Sequence, residues 1–152
     1  MKAWGYTQDL KEETYVPIDG YNRSKVANVL FGIGANKRLF ETHGILTTAV
    51  HPGVIHTELV RYFDDQTLGA IKALSDRNVY MYRSLEAGAS TSLVAALDPK
   101  LRVETRDGSE NIGAYLVDCQ VSTTATALAT SSEEAEKLWK LSEKLVKQEF
   151  SW

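Results

Sequence analysis

Two adjoining segments constrain this chain's fold more than any other feature. A helical stretch runs from Tyr21 to about Thr42, and across Gly44 lies the β-rich run Ile-Leu-Thr-Thr-Ala-Val of residues 45–50, which Pro52-Gly53 stops at once. In the first segment Val26, Leu30, Ile33, Lys37 and Phe40 trace one face at spacings of three and four, with Val29 and Leu39 beside it. Gly44 supplies the favourable position just past a helix end. Pro followed by Gly ends a strand and bends the chain. A helix feeding a strand is an α/β order, and ligands of open α/β sheets sit outside the carboxyl ends of strands. The turn at Pro52-Gly53 is therefore where a small-molecule site is expected.

Chemistry-bearing residues flank this junction. Tyr21 and Lys25, in Tyr21-Asn22-Arg23-Ser24-Lys25, stand four apart and so share one helix face. A tyrosine phenol, with a reference pKa of about 10, is a poor base at neutral pH, but a neighbouring ammonium favours its phenolate. Such a pair can give a proton to a carbonyl oxygen or take one from an alcohol. The plain alternative is two solvated side chains on an exposed face. In His51-Pro52-Gly53-Val54-Ile55-His56-Thr57, backbone groups of the turn and the Thr57 hydroxyl could hold a carboxamide edge-on. Here the alternative is an ordinary Pro-Gly turn.

The rest of the chain continues the α/β order. Residues 1–20 show no clean period and are expected to be a surface segment. Residues 58–83 carry Leu59, Val60, Tyr62, Phe63, Leu68, Ile71, Leu74, Val79, Tyr80 and Tyr82, broken at Asp64-Asp65 and Ser75-Asp76. Ser84 is expected to cap a helix over residues 85–97, with Leu85, Ala89, Ser92, Leu93, Ala96 and Leu97 as its packing face. Residues 102–110 form a charged connector, and residues 114–117 a second strand, parallel to the first through a right-handed crossover. The conformation of residues 122–130 stays open. Ser131 with Glu134 is a capping box for a last helix whose inner face is Leu138, Leu141 and Leu145. Gly32-Ile33-Gly34 lies inside a helical pattern with no strand leading into it, so it suits close helix packing better than a phosphate cradle.

Composition narrows the functional classes. A formal charge of −3 gives no broad attraction to nucleic acid. The only cysteine is Cys119, which rules out an intrachain disulfide or a cysteine-rich zinc site and suggests a reducing, cytoplasmic compartment. His43, His51 and His56 form no helical i, i+4 pair, so no metal site is expected, although His51 can orient the turn by hydrogen bonding. No apolar run approaches the ~18 residues of a membrane span.

The segment from Tyr21 through Lys25 and Asn28 to Phe31, with His51-Pro52-Gly53-Val54-Ile55-His56-Thr57-Glu58-Leu59, closely resembles the short-chain dehydrogenase/reductase superfamily, in the branch of the retinol dehydrogenases and the WW-domain-containing oxidoreductase. The resemblance continues through Ser84-Leu85-Glu86-Ala87-Gly88-Ala89, the Gly113-to-Cys119 segment and residues 135–142, and so covers nearly the whole chain. It implies that Tyr21 is the catalytic acid/base. Lys25 matches the residue that assists its ionisation and binds the nicotinamide ribose, and Pro52, Gly53, Val54 and Thr57 match the loop that holds the nicotinamide of NADP or NAD. Residues 58–83 then correspond to the substrate lid, suited to a lipophilic alcohol or carbonyl.

Three elements of the family pattern have no counterpart in this sequence: the Gly-rich turn of the first strand, the Asn-Ala-Gly segment of the fourth, and the catalytic Ser of the fifth. Residues 1–152 are accordingly expected to be one partial domain, the C-terminal half of a doubly wound parallel-sheet (Rossmann-like) fold with the N-terminal dinucleotide-binding half missing. Such a half leaves a strand edge and helix surface bare, and is expected to be marginally stable or to self-associate. The helix from Tyr21 is the surface expected to meet a second copy or another partner. An oxidoreductase that is incompetent as this chain alone is the leading expectation. A non-catalytic truncated subunit docking on a full-length relative is the alternative, and a degenerate product without function the third.

Overall fold

The computed structural model describes residues 15–101 and 115–151. Of the surface segment expected over residues 1–20, residues 1–14 lie outside them and residues 17–20 are helical instead; the charged connector and the first residue of the strand expected at 114–117 also lie outside them. The chain divides into two compact units, one drawn from Met1–Ala49, Pro99–Tyr115 and Val121–Trp152, the other from Val50–Asp98 and Leu116–Gln120. Helices and short strands are interspersed along the chain, as an α/β fold requires.

In the first unit, α1 (Pro17–His43) starts four residues before Tyr21, because Pro17 stands in the first turn, where its missing N–H costs nothing and its φ is already helical. It ends where expected. Gly44 takes φ 65°, its N–H donates to the Phe40 carbonyl at 2.8 Å, and the Ile45 N–H donates to Leu39 at 3.3 Å.

The buried side of α1 holds Val29, Leu30, Ile33 and Ala35, and it packs on α4 (Ser132–Val146) through Ala135 and Trp139. Gly34 makes the approach close, as its place in a helical pattern suggests: a methyl group there would stand 3.2 Å from Trp139 Cε3. Phe31 stacks on Trp139 with ring centroids 5.4 Å apart. Arg38 lies over the same indole at 4.3 Å, donates to both Glu136 oxygens at 2.9 and 3.1 Å, and donates to the Gly34 carbonyl at 3.1 Å.

Two expected faces need correction in this unit. Lys37 is exposed, and its neighbour Asn36, only 5% exposed, is buried in its place. The reason is a pair of hydrogen bonds: Asn36 Nδ2 donates to the Thr47 carbonyl at 2.9 Å and Oδ1 accepts the Thr47 N–H at 2.7 Å. On α4, Leu138 and Leu141 are partly buried as expected, but Leu145 is exposed near the helix end, and Ala135 and Trp139 form the inner face. Ser131 does cap α4, accepting the Glu134 N–H at 3.2 Å. Residues 127–130 form a turn, with Ala129 buried.

The strand expected over residues 45–50 is shorter and later, β1 (Ala49–His51). Thr47 cannot join a ladder because Asn36 already takes both its peptide groups. β1, β4 (Tyr115–Val117) and β5 (Gln120–Val121) form a three-stranded sheet in the order β1-β4-β5. β4 and β5 are joined through Asp118 and Cys119, both left-handed at φ 52° and 64°, which is the conformation of a two-residue hairpin turn and one that neither residue type adopts freely.

In the second unit, β2 (Val54–Ile55) pairs in parallel with β3 (Tyr82–Arg83), Val54 opposite Tyr82 and Ile55 opposite Arg83. Between them lie a 3-10 turn (Glu58–Val60) and α2 (Asp65–Asp76). The two interruptions noted at Asp64-Asp65 and Ser75-Asp76 are the ends of α2: Asp64 Oδ1 accepts the Thr67 N–H at 2.7 Å, and bonds from that amide and the Thr67 hydroxyl hold its carboxyl below the usual aspartate range.

α3 (Leu85–Leu97) begins after Ser84, whose Oγ accepts the Ala87 N–H at 3.2 Å. Its expected packing face is wrong. Leu85, Ala89, Ser92, Leu93, Ala96 and Leu97 are exposed, and Gly88 and Thr91 are buried. Gly88 leaves the space that the Ile55 side chain fills, and Thr91 Oγ1 accepts the Cys119 N–H at 3.2 Å. Those two contacts, invisible to periodicity, choose the inward side.

Two outcomes are expected from this packing. Asn36→Ala leaves both Thr47 peptide groups without their partner and should lower stability by about 2 to 3 kcal/mol in denaturant melts; a loss below about 0.5 kcal/mol would show that the bonds contribute little. Glu136, with its carboxyl pulled below the usual range first by the Arg38 hydrogen bond, should stabilise above the unfolded glutamate pKa and lose that contribution as pH falls through its lowered folded value. Glu136→Gln should therefore be less stable than the unsubstituted protein at pH 7, by about 1 kcal/mol or less, and equal to it in acid well below the ordinary glutamate pKa of about 4.3. A pH-independent difference would contradict this.

Candidate active site

α1 carries one group of candidate residues. Tyr21 and Lys25 stand one turn apart on it, and the Lys25 Nζ lies 5.2 Å from the Tyr21 ring centre. Ser24 Oγ donates back to the Tyr21 carbonyl at 2.7 Å, a bond made within the helix. Tyr21 is 41% exposed and so open to a ligand. The four-residue spacing has brought a phenol and an ammonium together, as helix geometry demands.

A separate group of candidate residues belongs to the other unit and follows β1. Gly53 adopts φ 86°, a conformation that a side chain would strain. Its N–H donates to His51 Nδ1 at 2.8 Å, so His51 does orient the turn, and as the neutral ring it carries its proton on Nε2. The space where a Gly53 side chain would begin is taken: a methyl group would stand 2.5 Å from Arg83 Cδ and 2.9 Å from Nε. Arg83 in turn pairs with Asp118 at 2.5 Å. Val54 belongs to β2, and the Pro52 carbonyl lies 3.5 Å from where a Gly88 methyl would be.

Thr57 starts the 3-10 turn, its Oγ1 accepting the Leu59 N–H at 3.3 Å. Its hydroxyl proton is left for another acceptor. His56 stacks on Tyr82 with centroids 3.8 Å apart, and Tyr80 meets Tyr82 edge-on at 5.7 Å. Tyr80 donates its hydroxyl to the Ile71 carbonyl at 2.7 Å, while partial burial, and then its neighbour Tyr82, push that phenol up. It is a donor at neutral pH. In the same stretch of sequence Leu59, Tyr62, Val79 and Met81 are exposed apolar side chains, Tyr62 at 84%.

Thus Tyr21 stands with Lys25, and Pro52, Gly53, Val54 and Thr57 share one short connection in their own unit. Sequence reasoning missed Arg83 and Asp118. The faint signal for them was an opposite-charge pair, one member at the end of the aromatic stretch and the other beside the lone cysteine.

The site can be set beside known proteins. The chain matches no protein-family model and no solved structure. It is 34% identical to a "Probable oxidoreductase" of Streptomyces antibioticus, in an alignment covering 82% of this chain and 44% of that protein. It is 33% identical to "Short-chain dehydrogenase TIC 32 A, chloroplastic" of Brassica napus, over 88% of this chain and 38% of the relative. With human "Retinol dehydrogenase 12" the identity is 37%, over 86% and 37%. The chain belongs to the short-chain dehydrogenase/reductase superfamily. Its likeness includes the retinol dehydrogenase branch, and the chain spans about two-fifths of the length of these relatives. No helix among the described residues of this short-chain dehydrogenase/reductase is long and apolar enough to cross a membrane.

Gly53→Ala combines a left-handed backbone with a collision against Arg83 and should cost about 1 to 2 kcal/mol. A thermal melt checks it: an unchanged midpoint would mean that the turn adopts another conformation in solution.

Proposed function

We propose that this chain carries the proton-handling and nicotinamide-side parts of an NAD(P)-dependent oxidoreductase that interconverts an alcohol and a carbonyl on a lipophilic small molecule. The supporting observation is the Tyr21–Lys25 pair on one exposed helix face, in a chain of which 86% aligns with a retinol dehydrogenase. The donor set fits the nicotinamide end of NADP or NAD. Lys25 has three N–H donors suited to ribose hydroxyls, and Thr57 keeps an O–H for a carboxamide oxygen while its lone pair takes the Leu59 N–H.

When bound, the nicotinamide supplies or accepts the hydride. Tyr21 Oη gives its proton to the carbonyl oxygen in reduction and recovers it from the alcohol in oxidation. Lys25 Nζ steadies the phenolate between these steps. Pro52, Gly53 and Val54 present a turn with a narrow range of conformations. Residues 58–83 act as the substrate lid, with Leu59, Tyr62, Val79 and Met81 offering the apolar surface a lipophilic substrate needs. Turnover by this chain alone is expected to be weak or absent, because its sequence holds no Gly-rich phosphate turn. A cytoplasmic setting suits its single cysteine.

A second reading makes the chain a non-catalytic subunit that docks on a full-length relative through α1, a role favoured by the exposed Val16, Ile18 and Phe31 on or beside that helix. The two separate cleanly. Oxidation of NADPH or NADH with a long-chain aldehyde, followed by absorbance with and without a full-length relative, should fall by about 100-fold or more in Tyr21→Phe, while any docking persists. Turnover that survives the substitution would overturn the assignment of Tyr21. Docking by the unsubstituted chain with no added turnover would favour the subunit role.

A further inference from the structure

We propose that Arg83, anchored by Asp118, is a positioning residue that clamps the Pro52–Gly53 turn in its working conformation. The proposal deepens the oxidoreductase reading above and rests on it for the role of the turn.

Three observations within the second unit carry it. The aliphatic stem of Arg83 occupies the space at Gly53, with Cδ, Nε and Cγ at 2.5, 2.9 and 3.3 Å from where a Cβ would stand, so the stem covers the turn at its left-handed glycine. The guanidinium is tied down beyond the turn: Nη2 meets Asp118 Oδ1 at 2.5 Å. Asp118 is itself held by its backbone, being in the left-handed conformation at φ 52°, and Cys119 after it donates its N–H to Thr91 on α3. Arg83 is also backbone-fixed, because β3 pairs it with Ile55, two residues beyond Gly53. Both ends of the clamp therefore start from ordered backbone, and only the side chains span the gap.

An exposed ion pair contributes little to global stability. Its value here is local. A turn that must present backbone groups to a ligand loses affinity when it samples other conformations, since apparent affinity scales with the fraction of the competent state. His51 secures the Gly53 N–H from within the turn, and Arg83 restrains the same residue from outside it. Neither residue touches the reacting atoms, so Arg83 acts through the turn.

The test uses the full chain with Arg83→Met, which keeps a long apolar stem but no charge, and Asp118→Asn, which removes the anchor charge while keeping a residue type that tolerates the left-handed backbone. Amide hydrogen exchange at Gly53 and Val54 should speed up about fivefold in each, and the double variant should exchange no faster than either single one, because each breaks the same pair. Thermal midpoints should hardly move. Unchanged exchange in both single variants, or additive acceleration in the double variant, would overturn the clamp.

Titration with NADPH and NADH, followed by nicotinamide fluorescence, supplies the second readout: the same variants should bind about fivefold more weakly. Faster exchange with unchanged affinity would overturn the role toward the nicotinamide. If the unsubstituted chain binds neither dinucleotide, with or without a full-length relative, the oxidoreductase reading fails for this chain, and the exchange data still decide whether the clamp exists.

Discussion

One side-chain amide stands where a strand partner would otherwise be. Asn36 offers Thr47 a donor and an acceptor in the spacing a neighbouring backbone would offer, and so satisfies both peptide groups of a residue that leaves the end of α1. A buried peptide group must find a partner, and this one finds it in the helix just left behind. The strand consequently begins two residues later, at Ala49, and the chain reaches Pro52-Gly53 with only Ala49, Val50 and His51 in the ladder. That amide thus leaves only a three-residue strand between Thr47 and the Pro52-Gly53 turn.

The α1–α4 pair shows how a small apolar core is extended by a charged side chain. Leu30 is the large, fully buried aliphatic side chain of this core. Trp139 adds the bulk that aliphatic residues do not supply, and it is closed by Phe31 and by Arg38, whose guanidinium is held by Glu136 and the Gly34 carbonyl. Arg38 is thus a packing residue as much as a charged one, because the planar guanidinium stacks on the indole and still keeps its hydrogen bonds.

What could be read beforehand was local. The end of α1 at Gly44, the caps Ser84 and Ser131, and the spacing that unites Tyr21 with Lys25 depend on residues within one or two turns of each other, and all four stand as read. The face of α3 did not, and that of α4 held at Leu138 and Leu141 but not at Leu145, because inward orientation is chosen by distant partners: Ile55 at Gly88, Cys119 at Thr91, and Gly34 beneath Trp139. β3 and β5 were missed for a related reason. Two-residue strands carry no period, and the left-handed Asp118-Cys119 link lacks the Asn-Gly signature by which such turns announce themselves. In the candidate site, the Pro52-Gly53 turn and His51 were legible, whereas Arg83 and Asp118 lie far apart in sequence and meet only in the folded chain.

The parallel ladder of β2 and β3 also fixes an order of events. Val54 and Tyr82 are separated by the 3-10 turn and all of α2, and a parallel pair cannot be closed by a tight reversal. Helices capped by their own neighbours, such as α2 behind Asp64, form on the fastest timescale available to a chain, while contacts between remote residues must wait for loop closure. Residues 52–57 therefore become organised late, after the helices that flank them. The Pro52-Gly53 turn is thus shaped by contacts that a folding chain makes only once its local helices exist.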